Sequence, residues 1–381
     1  MIKYLKEYKR IFFLLFSCKF VFTSPKKKDF LIIDGKRKEL IFNYIDENRC
    51  NILHTRGEYL NLYILLLSLF TLNFKSFHLN YINTYIKVSK PKCCITLNHP
   101  KIYFYKLKKF HKNLVTLSFQ HGHTFLNDKN IFFRNLKREK KNNLSADYIF
   151  VHNKYFGEKL FNEFINTNLV YSGSFKNNYY FKKNDNQNKS KTICFISQFR
   201  MPENIKNMGF SYDEFYITEK KILPKLFEFA KKNNYNFEIL GAEWNPDEEK
   251  NFFNDILNDH NWKFHERTKS NLSYFKTDCS ELNVFVDSNL GFESLARGNK
   301  TISFNFRGQA HLMYHKFGFN FLEDKGNFWT NIDSDNEFNR LINYAENTNI
   351  EKWNKENSSI IKQMMEYDPA NKKFQQIIST I

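Results

Sequence analysis

Residues 284–306 read VFVDSNLGFESLARGNKTISFNF and load the start of a short helix with a hydroxyl, a bare backbone and a carboxylate. The first apolar strand ends at Asp287-Ser288, Leu290 to Arg297 spans two helical turns, Gly298-Asn299 stops them, and Thr301–Phe306 opens the next strand. A helix N-terminus presents unpaired N–H groups and the positive end of a dipole, which favour phosphate. Gly291 lets the backbone come close to a ligand. Ser288 can cap the helix or donate to a phosphate oxygen, and Glu293 can complement the dipole or accept from the two hydroxyls of a ribose.

A second group of residues could move a proton. SFQHGHTF (118–125) follows an apolar strand, so His121 and His123 lie where that strand ends. Imidazole titrates near neutral pH and suits a general base that takes the proton of an acceptor hydroxyl. His-x-His also suits a metal, but no third ligand at convincing spacing accompanies it, so no metal site is expected. TLNHPKIYF (96–104) ends another strand, and Pro100 keeps His99 out of helical geometry. Asp34, in DFLIIDG, is a further carboxylate at a strand end, where a turn-forming role competes.

These residues need elements to hold them, and the chain has the material. Its 381 residues, 42% hydrophobic with 43 Phe and 21 Tyr, suffice for two domains with packed cores. Six cysteines show neither CxxC nor paired spacing, so neither a disulfide framework nor a zinc site is expected and a reducing cytoplasm fits. Adjacent Cys93 and Cys94 read as two faces of a buried strand. The net charge of +18 is unevenly placed: residues 1–180 carry 31 Lys/Arg against 12 Asp/Glu, and residues 181–381 carry 27 against 28. The first half is strongly basic, which suits an anionic membrane or a phosphorylated acceptor.

Strand and helix patterns alternate. DFLIIDG, RCNILHTRGEYLN, PKCCITLN, NLVTLSFQHG, ADYIFVHN and NLVYSGSFKNN read as strands with their following loops. FKKNDNQNKSK (181–191) has no apolar periodicity and reads as a linker, after which TICFISQFR, YNFEILGA, WKFHER, LNVFVDS and KTISFNF continue the strands. Strands alternating with helices predict parallel sheets covered on both faces. The expected organisation is an α/β protein of two Rossmann-like, doubly wound domains: 1–180 the basic N-terminal domain, 181–191 a linker, 192–345 the C-terminal domain, and 346–381 terminal helices. The opening KEYKRIFFLLFSCKFVFTSPKKK reads as a core or membrane-surface helix rather than a signal peptide, and SYFKTDCS as a connector. YILLLSLFTLNF (63–74) falls short of the roughly 20 apolar residues of a span and reads as a buried helix.

DSNLGFESLARGNKTISF resembles the nucleotide-sugar motif of bacterial surface-carbohydrate biosynthesis proteins, glycosyltransferases of the GT-B type. ADYIFVHNKYFGEKL, VYSGSFKNN, CFISQFR and FGFNFLEDKGNFW resemble the same family, and together they cover roughly residues 25–355. The resemblance implies two Rossmann-like domains facing a cleft, a nucleotide-activated sugar bound mainly by the second domain, and no cofactor or required metal. Carried across, Ser288, Gly291 and Glu293 would hold diphosphate and ribose. Ser197 and Gln198 would face the donor, Arg200 would neutralise phosphate, and Lys176 would reach the same site beside a turn at Gly173. Arg297 and Lys300 would be solvated or steer phosphate. The His-Gly-x-Thr pattern at His121 also resembles the base motif of the glycerophosphotransferases that build teichoic acids. Relatives tend to carry an acidic residue where this chain has Asn98-His99, which leaves the base open among His121, His123 and His99.

The expected activity is therefore transfer of a sugar from a nucleotide donor to a lipid-linked glycan acceptor, on the inner face of the cytoplasmic membrane. Partners are the donor, the acceptor and an anionic membrane surface. A CDP-glycerol-type glycerophosphotransferase and a non-catalytic scaffold on the same fold are the alternatives. Nucleic acid is not expected, because the aromatics sit in apolar runs and no KH, RNP or zinc-finger pattern occurs. Walker A, GxGxxG and GxSxG patterns are absent too.

Overall fold

The computed structural model describes residues 18–70, 77–123, 130–139, 143–181, 189–207, 209–243, 246–268, 271–307, 316–319 and 321–381. The chain forms two compact units. The first comprises Met1–His121, Ile131–Tyr171 and Asn371–Ile381; the second comprises Gly122–Asn130 and Ser172–Ala370. The division at Tyr171/Ser172 precedes the expected linker, of which residues 182–188 lie outside the described residues.

In the first unit the strands are β1 (Lys19–Val21), β2 (Phe30–Ile33), β3 (Cys50–Leu53), β4 (Tyr59–Asn61), β5 (Cys93–Thr96), β6 (Val115–Phe119), β7 (Ser145–Val151) and β8 (Asn166–Tyr171). Six of them make a parallel sheet in the order β3-β2-β5-β6-β7-β8. Every residue of β2 and β5 is buried, as a sheet covered on both faces requires. Cys93 and Cys94 therefore point to opposite faces of the core, and burial pushes both thiols up.

The helix Lys372–Ile378 comes from the far end of the chain and closes this core. Its Phe374 ring packs 5.5 Å from Phe119, 5.9 Å from Phe150 and 5.6 Å from Tyr44. No local pattern announces that return, because the contacts that decide it are more than 200 residues away in sequence.

Two expectations change. Lys19–Val21 is a strand rather than part of a helix: it pairs in parallel with β4, and the Lys19 amide donates to the Glu58 carbonyl at 3.0 Å. Residues 1–17 lie outside the described residues. The apolar run after Asn61 forms the helix Leu62–Leu69, but it is not buried all round: Leu66 is 59% exposed and Phe70, just beyond it, 82%. No described helix is long and apolar enough to cross a membrane.

The second unit carries β9 (Ser190–Ile196), β10 (Asn236–Leu240), β11 (Lys263–His265), β12 (Ser280–Phe285), β13 (Thr301–Phe304), β14 (Lys325–Gly326) and β15 (Trp329–Thr330). Their order is β11-β10-β9-β12-β13-β15-β14, parallel except for the pairing of β14 with β15. The parallel connections from β9 to β10, from β10 to β11 and from β12 to β13 run through the helices Ile217–Lys232, Pro246–Leu257 and Asn289–Ala296. SYFKTDCS (273–280), read from sequence as a connector, lies instead almost wholly in a further helix, Leu272–Cys279. Gly173 is fixed by geometry. Its φ is +76°, a side chain there would meet the Glu366 carbonyl oxygen at 1.9 Å, and it bridges to Tyr367.

Candidate functional site

In the second unit the chain leaves β9 toward β10 on one side, while β12 leads to β13 on the other. Ligands of doubly wound sheets bind outside the carboxyl ends of strands at this reversal. The register sets Ile196 beside Phe285, so the residues after β9 (Ser197, Gln198, Arg200) and after β12 (Asp287, Ser288) leave the sheet at one level.

The loop after β9 is held rigidly. The Tyr216 hydroxyl accepts from the Arg200 amide at 2.8 Å and donates to the Arg200 carbonyl at 3.0 Å. The side chain is not so engaged: Arg200 Nε is buried without a partner among the described residues, as is Gln198 Oε1. A buried polar atom left unpaired costs about 1–3 kcal/mol, which a ligand oxygen or hydroxyl would recover. Ser197 differs. It is buried, and its hydroxyl donates to Glu249 while accepting from the Phe199 amide at 3.0 Å. It shapes the loop from inside.

At β12, Ser288 is the N-cap of Asn289–Ala296, yet its side chain makes no capping bond. Its carbonyl accepts from the Gly291 amide at 3.0 Å, while Ser288, Asn289 and Leu290 remain at the surface. The first turn thus keeps a hydroxyl and the Asn289 and Leu290 amides uncapped among the described residues. Gly122, lent to this unit with His123, lies against that turn: a side chain at Gly122 would meet Asn289 Nδ2 at 2.8 Å, and the His123 amide donates to Asn289 Oδ1 at 3.3 Å.

Other motif residues turn inward, and their roles are corrected accordingly. Gly291 packs on Phe285, whose ring atoms stand 2.1 Å from where its Cβ would be, so its lack of a side chain serves helix-on-strand contact. Glu293 is only 8% exposed; its carboxylate accepts from Ser174 Oγ at 2.5 Å and Tyr274 OH at 2.8 Å. As placed, it ties the helix Phe175–Tyr179 to two others rather than facing a ribose. Lys176 lies over the Tyr274 ring at 5.3 Å. Arg297 is buried in an ion pair with Asp278, and Lys300 is buried against Glu281 and the Ala345 carbonyl, so neither is solvated.

The sequence reading missed the charges beneath this site. Arg307, after β13, is fully buried between Glu219 and Asp287, with its guanidinium 4.2 Å from the Phe215 ring centroid. Burial pushes the Glu219 carboxyl up to about 7 although Arg307 opposes it. It raises Asp287 as well, against the pull of Arg307 and Arg200. A strand ending in Phe-Asn-Phe-Arg was the available signal: a guanidinium placed just past a buried strand needs a buried acid.

In the first unit, the carboxyl ends of β2, β3, β5 and β6 gather a second constellation. Asp34, 2% exposed with φ +64°, accepts from Arg56 at 2.6–2.9 Å and from Asn98 Nδ2 at 2.7 Å. Burial alone would raise its pKa, but Arg56 and Asn98 bring it below the ordinary value. His99 is buried between the Phe132 and Phe161 rings, and its Nδ1 accepts from the His121 amide at 3.0 Å. Burial, then nearby His121, lowers its pKa to about 3, so it stays neutral as an internal acceptor. His121 is exposed, and its Nδ1 is 3.0 Å from Arg37 Nη1. His123, in the second unit, packs its ring edge-on against Phe292 at 4.4 Å and beside Phe319 at 5.3 Å. Of the three histidines expected as bases, His121 is exposed, His123 half-buried and His99 buried. Two open hollows, of about 410 and 350 Å³, lie by Asp147 and by Trp262, lined by none of these residues.

Residues 118–380 match a family described as "putative O-antigen biosynthesis protein", which covers more than half of the chain. The chain belongs to this family. No curated protein matches it in sequence. Among solved structures, a glycosyltransferase from Rickettsia africae ESF-5 aligns with a TM-score of 0.50 at 10% identity, over 93% of this chain and 97% of its own. A "putative UDP-N-acetylglucosamine 2-epimerase" from Listeria monocytogenes aligns at 0.51 with 12% identity, over 93% and 95%. The wall teichoic acid polymerase TagF aligns at 0.47 with 13% identity, over 94% and 88%. The fold is of the GT-B class, with two Rossmann-like units: the strand–helix alternation predicts the two units, and the family resemblance implies the class. Both sheets separately carry its strand alternation.

Proposed function

We propose that this protein transfers a sugar from a nucleotide-activated donor to a lipid-linked glycan acceptor in bacterial surface-polysaccharide biosynthesis. Membership in the O-antigen biosynthesis family and the GT-B fold support the general reading. The observation that carries the donor assignment is the reversal between β9 and β12, where Arg200 Nε and Gln198 Oε1 are buried without partners beside an open helix turn. In this reading the Ser288 hydroxyl, the Asn289 and Leu290 amides and Arg200 take the diphosphate, and Gln198 accepts from a donor hydroxyl. Pre-oriented amides and a guanidinium stabilise the charge that develops on the leaving phosphate, because they need no reorganisation as the bond breaks. The basic first half, with 31 Lys/Arg against 12 Asp/Glu in residues 1–180, would hold the protein and its acceptor at the anionic inner face of the cytoplasmic membrane.

The engagement of His99 and His123 inside the protein favours a second reading, a nucleotide-binding member without turnover. A thermal-shift screen with UDP, GDP, CMP, CDP and dTDP derivatives, CDP-glycerol included, tests both. Ligand at about 100 times its Kd stabilises by roughly 2.7 kcal/mol. One nucleotide class should raise Tm, and Arg200→Met should abolish the rise without lowering the Tm of the free protein. No response to any nucleotide would refute the donor site; binding without release of nucleotide from the matching sugar donor would select the second reading.

A further inference from the structure

We propose that Lys36, Arg37 and His121 form a phosphate-binding site in the first unit, in which Arg37 fixes His121 as a hydrogen-bond donor. A guanidinium offers only N–H groups, so its 3.0 Å contact with His121 Nδ1 requires a lone pair on that nitrogen. The proton of the neutral ring is then on Nε2. An imidazolium would set two donors against each other at that contact. Desolvation by the surrounding chain, followed by Arg37, Lys36 and Arg56, lowers the pKa of this ring and holds it neutral.

His121 thus carries an N–H where a general base would carry a lone pair. Lys36 beside it is exposed and makes no ion pair among the described residues. Arg56 is ion-paired with Asp34, and at His121 the pull of the cations Arg37, Lys36 and Arg56 outweighs that of Asp34. Ammonium, guanidinium and imidazole N–H are all donors, and the matching ligand is one whose oxygens only accept: a phosphate monoester or a diphosphate. The loop supports the assignment. Asp34 and Arg37, three residues apart, both have left-handed backbones, at φ +64° and +66°, and non-glycine residues held that way concentrate at functional sites.

The site stands on the first unit alone. It rests on the transferase reading only for the phosphate's carrier, the acceptor's lipid diphosphate. The test is NMR of the ¹⁵N-labelled full chain, with the His121 ring nitrogens identified by their loss in His121→Gln. Nδ1 should resonate as an unprotonated nitrogen, and inorganic pyrophosphate should shift the Nε2–H signal. Arg37→Gln and Lys36→Gln should each weaken that binding about tenfold, the latter at an exposed position where folding is not at stake. Farnesyl diphosphate binding at least tenfold more tightly than pyrophosphate would identify a lipid carrier; equal binding would support a site for the phosphate group alone. A protonated Nδ1, no shift with pyrophosphate, or undiminished binding in both variants would overturn the proposal. Nucleotide-induced stabilisation in the same variants should persist, so failure here is distinguishable from failure of the donor site.

Discussion

Replacing Gly291 with alanine separates two reasons for a glycine that sequence alone cannot tell apart: approach of a phosphate, or approach of a strand. The Cβ would be placed 2.1 Å from two ring atoms of Phe285, a fully buried residue of central strand β12. Ordinary contact needs more than an ångström of further separation, and the Phe285 ring is already packed 5.1 Å from Phe292 and 6.2 Å from Phe317. Overpacking of this kind costs about 1–3 kcal/mol, here toward the upper end. Alanine recovers about 1 kcal/mol of helix propensity, which leaves a net loss of about 2 kcal/mol. In a unit of roughly 200 residues that lowers Tm by about 4–8 °C. The assay is a double-mutant cycle with Phe285→Leu, read by thermal and urea unfolding of the second unit. The pair should show a favourable coupling of at least about 1 kcal/mol, because leucine vacates the ring positions. Nucleotide affinity of the folded Gly291→Ala protein should be nearly unchanged. An unaltered Tm with weakened nucleotide binding would refute the packing account and return Gly291 to the phosphate.

Glu293→Gln should destabilise the second unit by about 1–3 kcal/mol, since an amide nitrogen would face the Ser174 or Tyr274 hydroxyl that now donates to a carboxylate. Unchanged unfolding with poorer nucleotide affinity would restore the ribose role. Gly173→Ala should cost at least about 2 kcal/mol in urea unfolding, because φ is +76° and the clashing atom is a backbone carbonyl that cannot swing away; a wild-type urea midpoint would contradict this. Glu219 sets a pH dependence. Its folded pKa, about 7, is above the unfolded value of 4.5, so its contribution is fully present below pH 4.5 and lost as pH rises through 7. Urea midpoints across that window should fall in the native protein and flatten in Glu219→Gln; identical slopes would remove Glu219 as the cause.

The alternation of strands and helices was readable because each buried parallel strand is a short continuous apolar run, as in FLII and CCIT. Where a run is apolar but its partners are distant, the pattern misled. Lys19–Val21 looked like part of a helix because its neighbours are apolar too, and only pairing with Tyr59–Asn61 makes it a strand. Lys372–Ile378 read as a helix, but not as part of the first core, since Phe374 meets Phe119 and Phe150 across the length of the chain.

The site was less legible for a physical reason that applies beyond this chain. A glycine, a serine and a carboxylate at a helix start meet the needs of a phosphate, and they equally meet the needs of a helix packed tightly on a strand. Which need prevails depends on what lies behind each residue. Phe285 behind Gly291 and Ser174 beside Glu293 turn those two inward, while Ser288, three positions past β12, is half-buried and its side chain makes no capping bond. The same logic governs the histidines. His121 and His123 are two residues apart and chemically identical, yet one meets a guanidinium in the first unit and the other a phenylalanine in the second. A guanidinium on one ring nitrogen fixes the proton on the other, and a phenyl edge imposes nothing of the kind. The spacing His-x-His therefore marks where chemistry can occur, and the neighbour at 3.0 Å decides whether the ring gives or takes a hydrogen bond.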